Sequence, residues 1–136
     1  MTSLSDKVGR GMKPSDLVYE RFASTLTVPV PASTSGHILV NWSIPQNRNA
    51  FLVYAVGNDQ HDSSYYTWVF DGTTMPISGS AKVGGIYDPL VFPEPIRVET
   101  SILLYIRNDN AKAYPNSGTI PTDQIPYEAV IIGRWV

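Results

Sequence analysis

Residues 95–108, Pro95-Ile-Arg-Val-Glu-Thr-Ser-Ile-Leu-Leu-Tyr-Ile-Arg-Asn108, decide how this chain is read. Ile102 to Ile106 form an unbroken apolar run rich in Ile, Leu and Tyr, without glycine. Such a run lacks the two-residue alternation of a half-exposed strand. It predicts a strand covered on both faces, in the interior of a sheet. Just upstream, Pro93-Glu-Pro95 makes a stiff extended link from a short strand over 90–92. Downstream, 108–126 is a long loop with three prolines and Gly118. A loop of that length is unusual in a compact domain and points to function or to packing on a neighbour. The chain then closes on a strand over 127–136, whose last residues are Trp135 and Val136. So apolar a terminus belongs in a central pairing or an interface.

The remaining punctuation is also β-like. A strand is expected over 25–30, with Pro29 placing it at an edge. In 37–44, Ile38, Val40, Trp42 and Ile44 share one predicted face, and His37, Asn41 and Ser43 the other. Residues 50–56 are apolar on both faces, and 65–70 form a strand ended by the Asp71-Gly72 turn. A further short strand is expected over 81–83. The pattern predicts an all-β fold, an antiparallel two-sheet β-sandwich with jelly-roll character. Residues 1–23 read as a separate N-terminal arm and 24–136 as the sandwich domain. In the arm, the polar segment 1–13 has no period of a helix or a strand. Residues 17–22 fit a short helix capped by Ser15 or Asp16, and fit a strand equally well.

Composition narrows the classes of function. The 136 residues suffice for one domain with a core of its own. Only 16% are charged, below the ~25% usual in soluble domains, which suits a protein that hides surface against partners. Aromatic content is 11%, with eight Tyr and three Trp. Net charge is −2 and no basic block occurs, which argues against a nucleic-acid partner. Residues 1–21 carry a charge of +1, from Lys7, Arg10, Lys13 and Arg21 against Asp6, Asp16 and Glu20. Without cysteine there is no disulfide and no thiolate metal site. No apolar signal core and no membrane-length apolar run is seen, so synthesis in the cytoplasm and no membrane partner are expected.

Candidate chemistry is sparse. Two histidines, His37 and His61, no cysteine and no Gly-x-Ser-x-Gly motif give no nucleophilic constellation, and no enzymatic role is expected. Asp59, His61 and Asp62 are metal-ligand types within four positions, but an Asx-rich turn bonding its own backbone explains them better. The same holds for Asn108-Asp109-Asn110. Residues 79–85 hold glycines and a lysine without the spacing of a phosphate-binding loop. No cofactor or metal is expected. A sugar site is conceivable around 65–70, where Tyr66, Trp68 and Phe70 share one face and Tyr65, Thr67 and Val69 the other. One face must be core, leaving the other as a platform or an interface.

A polar arm, a cysteine-free sandwich of low charge and an apolar C-terminal strand together resemble the small capsid decoration, or cement, proteins of tailed bacteriophages. The resemblance is architectural and spans the chain. It implies a structural virion protein on the capsid exterior that binds the major capsid protein as a homo-oligomer. Residues 1–21 and the loop 108–126 would then be the contact elements. The partner-binding residues would be Leu17, Val18, Tyr19 and Phe22, with Tyr114 and Trp135. A tail, neck or fibre module, or a carbohydrate-binding sandwich, would share the same pattern.

Overall fold

The computed structural model describes residues 16–59, 61, 63–78, 88–116, 118 and 124–136. Its strands are β1 (Val18–Ala23), β2 (Thr34–Ser43), β3 (Phe51–Asn58), β4 (Ser64–Phe70), β5 (Thr73–Thr74), β6 (Leu90–Val98), β7 (Ser101–Asn108) and β8 (Glu128–Trp135). They form two four-stranded sheets, with orders β1-β8-β3-β6 and β2-β7-β4-β5, and every pairing is antiparallel. Except for β4 and β5, consecutive strands lie in different sheets. That alternation is the double-sheet jelly roll. The turns 44–50, 71–72 and 99–100 gather at one end. The segment 24–33 and the strand ends Asn58, Ser64, Asn108 and Glu128, from which the longer connections run, gather at the other.

The stretch 95–108 turns out to be a corner. It supplies the end of β6, the turn at Glu99 and Thr100, and all of β7, so the chain passes from one sheet to the other within it. Asp71 holds this corner. Its carboxylate accepts the N–H groups of Glu99 (2.8 Å), Thr100 (2.7 Å) and Ser101 (3.1 Å). Burial alone would raise its pKa, but the three backbone donors prevail and hold the carboxyl below its usual range. As expected, β7 is an interior strand, between β2 and β4. Its second face, however, is not covered. Ile102, Leu104 and Ile106 are fully buried, while Leu103 and Tyr105 stay half-exposed.

The core lies between the sheets, where Phe51, Val53 and Ile131 of the first meet Tyr66, Trp68 and Leu104 of the second. Trp42 packs edge-on against Phe51 (4.7 Å) and beside Trp135 (5.4 Å). Gly133, on β8, has no room for a side chain, because a Cβ would collide with the Leu52 carbonyl oxygen and the Phe51 ring. The first sheet also buries residues on its outward face. Ala55, Val91, Val130 and Ile132 form a second cluster there, with Leu17 packed against it.

Several expectations need correction. Residues 18–23 are not part of an arm: they are β1, paired with β8 from Val18–Gly133 to Ala23–Glu128. Strand wins over helix because Val18 and Phe22 reach the core while Tyr19 and Arg21 point out, a two-residue period. Residues 1–13 and the strand expected over 81–83 lie outside the described residues. The strand expected over 25–30 is a loop in which only Val30 pairs, with Tyr114. There Thr25 N–H donates to the Val28 carbonyl (3.1 Å), and Val28 N–H donates to the Thr25 hydroxyl (3.0 Å), closing a turn. In β2, register shifts on both sides of Ile38 break the simple alternation. The extra residue Leu39 turns Ile38 outward, opposite Tyr105, and brings His37 level with Ile106. Desolvation there lowers the pKa of His37.

Candidate functional site

Two regions stand out, the long-loop end and the outward face of the second sheet. At the loop end, polar side chains are spent on joining the loops. Asn108, fully buried at the end of β7, donates from Nδ2 to the carbonyls of Pro31 and Lys112, both at 3.0 Å. Its Oδ1 accepts from the backbone and side-chain nitrogens of Asn110. This is the Asx-turn behaviour expected of Asn108-Asp109-Asn110. Ser24 donates to the Tyr114 carbonyl (2.7 Å) and accepts from the Tyr127 N–H (2.9 Å). The Tyr127 hydroxyl meets Ser64, and the Tyr66 hydroxyl donates to the Asp59 carbonyl while accepting from the His61 N–H. Burial is the main reason both tyrosines have raised pKa values.

His61 sits inside this network. Its ring stacks on Tyr114 at 4.2 Å and tilts against Tyr127 at 4.4 Å. Its Nε2 lies 3.0 Å from the Pro126 carbonyl, which can only accept, so Nε2 carries a proton. In the neutral ring that leaves the lone pair on Nδ1 alone. Asp59 offers its carbonyl to Tyr66, and Asp62 lies outside the described residues, as does the whole segment 79–85. Among the described residues no three His, Cys, Asp or Glu side chains gather as a metal site.

Beside exposed polar residues such as Thr27 and Ser33, the loop end also leaves large apolar side chains outward. Leu26 and Val28 are 58% and 63% exposed on the turn between Ser24 and Val30. Ile125, 48% exposed, precedes the Pro126-Tyr127 step that bonds to Ser24. Sequence reasoning missed these residues. It read 25–30 as a paired strand, in which both side chains would have neighbours.

On the second sheet, Tyr66, Trp68 and Phe70 are the core face, which removes Trp68 from any platform. Tyr65, Thr67 and Val69 point out. Register aligns three outward rows across β2, β7 and β4: Ser35-Arg107-Tyr65, Ile38-Tyr105-Thr67 and Asn41-Leu103-Val69. Arg107 lies 5.0 Å over the Tyr65 ring and bonds Asp109 at 3.1 Å, so the one charged side chain in the rows is at their end. The rows join aromatic, aliphatic and small polar groups, the make-up of an interface centre with an arginine at its rim.

The six expected partner-binding residues do not converge. Tyr19 alone is strongly exposed, at 60%, on the outward side of the edge strand β1. Leu17 packs on the outward cluster of the first sheet, and Val18 packs on the core. Phe22 abuts Trp42 at 6.5 Å. Trp135 is half-buried against Phe51 and Trp42, with the Arg48 guanidinium 5.4 Å over its ring. Tyr114, also half-buried, is the stacking partner of His61. Comparison of the chain with protein-family models, with curated proteins and with solved structures finds no match.

Proposed function

We propose that this jelly roll is a non-enzymatic structural virion protein, a capsid decoration protein that binds a major capsid lattice as a homo-oligomer. The observation that carries the reading is the division of labour on its surface. Asn108, Ser24 and His61 at the loop end bond to the loops themselves, while Leu26, Val28, Ile125, Tyr19 and the outward rows of the second sheet offer apolar area. A clamp on a shell works through such repeated apolar contacts, made strong by avidity. Double-sheet jelly rolls occur in viral capsid and lectin domains, which agrees with the reading by analogy of fold only. The test is density-gradient sedimentation of particles from the native source, with antibody detection of this chain. Co-sedimentation with intact capsids, lost for Leu26→Asp/Val28→Asp, is the expected result. Confinement of the chain to tails or fibres assigns another virion part, and its absence from particles ends the proposal.

One observation favours a carbohydrate-binding module instead. Tyr65, 37% exposed, stands beside Arg107 and across the sheet from Ser35, an aromatic ring flanked by hydrogen-bonding groups. A glycan array read with wild type and Tyr65→Ala decides it, since binding lost in the variant selects the sugar.

A further inference from the structure

We propose that the outward face of the second sheet is where a second copy of this chain docks, face to face, through Leu103, Tyr105, Ile38 and Val69. The proposal rests on the homo-oligomer reading and names its surface.

The strands β3, β7 and β8 carry continuous apolar runs that supply both faces, and they are treated differently. In β3 all but one position are buried, and in β8 every apolar residue from Ala129 to Ile132 is buried, on both faces. In β7, of the same character, Ile102, Leu104 and Ile106 are fully buried but Leu103 and Tyr105 remain half-exposed. Their cross-strand neighbours do not make up the deficit, since Ile38 is 44% exposed and Val69 and Thr67 are half-exposed. The face is therefore built as an interior surface and has no covering layer among the described residues.

Its size fits a second copy. With strands of about seven residues at ~3.4 Å per residue and ~4.8 Å between strands, the face spans about 25 Å by 15–20 Å. Side-chain relief brings that projection of roughly 400–500 Å² towards the ~600–1,000 Å² per partner of a standard interface. The charges agree as well. Arg107 lies at one end of the rows, and Asp71 lies at the opposite end of β4. A two-fold axis running across the strands brings the Arg107 end of each copy, where Arg107 is paired with Asp109, over the Asp71 end of the other, so that neither group meets its own copy.

The test is sedimentation equilibrium of the wild type, Leu103→Glu, Ile38→Glu and Glu94→Lys over a range of concentrations. Each variant is first checked for a cooperative melt. Ile38→Glu alters a side chain already 44% exposed, so it reads the same surface if Leu103→Glu fails to fold. The expected result is a wild-type dimer or larger oligomer, a rise of at least about tenfold in its Kd for the face variants, and no change for Glu94→Lys, exposed on the edge strand β6 of the other sheet. A wild type that oligomerises as before in both face variants overturns this surface and leaves the homo-oligomer reading intact. A wild type monomeric at every concentration overturns both. A monomer whose glycan binding depends on Tyr65 overturns the docking and gives the face to sugar.

Discussion

The two sheets turn apolar residues outward to about the same degree, and only one of them has those residues buried. On the first sheet Val130 and Ile132 are 6% and 3% exposed, and Ala55 is fully buried. On the second, Leu103, Tyr105 and Val69 occupy equivalent outward positions and are half-exposed. The difference is one of covering. The outward cluster of the first sheet has Leu17 against it, from the residue just before β1. An outward apolar residue is thus core on one face and contact surface on the other.

The largest expected effect breaks that symmetry directly. Ile132→Glu would place an unpaired carboxylate where the chain leaves no access to water, costing about 4 kcal/mol or more. A urea titration followed by far-UV circular dichroism should find no cooperative transition. If the variant melts like wild type, the first sheet's outward face is as open as the second's and the comparison fails.

Gly133→Ala probes the same strand from its core side. The added methyl meets the Leu52 carbonyl and the Phe51 ring, neither free to move far, and should cost about 3 kcal/mol. Thermal melts of the variant and wild type measure it.

At the corner where the chain passes between the sheets, Asp71→Asn should cost about 1–2 kcal/mol at neutral pH through weakened bonds to three N–H donors. The pH dependence has a definite sign. A carboxyl whose pKa is lowered by folding stabilises the fold above its unfolded value of about 4. That contribution fades as pH falls through the lower folded pKa. Wild type should therefore lose its advantage over Asp71→Asn in acid, as chemical denaturation at a series of pH values would reveal.

Leu103→Glu should have the smallest effect on folding, no more than about 1 kcal/mol, because its side chain already meets water in the single chain. Its contrast with Ile132→Glu, measured in the same titration, is the sharpest statement of the difference between the two faces.

Much of this was legible beforehand. The apolar run at Ile102–Ile106 announced an interior strand, and alternation over 65–70 sorted Tyr66, Trp68 and Phe70 from Tyr65, Thr67 and Val69. Asp71-Gly72 announced the turn, where both residues have positive φ. Three things were hidden. The bulge at Leu39 changed the facing of Ile38, because one extra residue inverts a two-residue period without altering composition. The loop over 25–30 was hidden because its turn is closed by a threonine side chain and its only pairing is with Tyr114, far away in sequence. The aromatic cluster of His61, Tyr114 and Tyr127 was hidden because its members come from two different loops and meet only when the sandwich closes.

By itself the sequence determined an all-β sandwich without thiol chemistry, the places of most strands, and which side chains share a face. Those follow from local rules, the pleat of a strand and the backbone preferences of turn residues. Only the tertiary structure decided which of those faces would be covered. Covering depends on segments far apart in the chain, such as Leu17 against the outward cluster of the first sheet. No local period encodes such a meeting, and among the described residues no such meeting buries the outward rows of the second sheet.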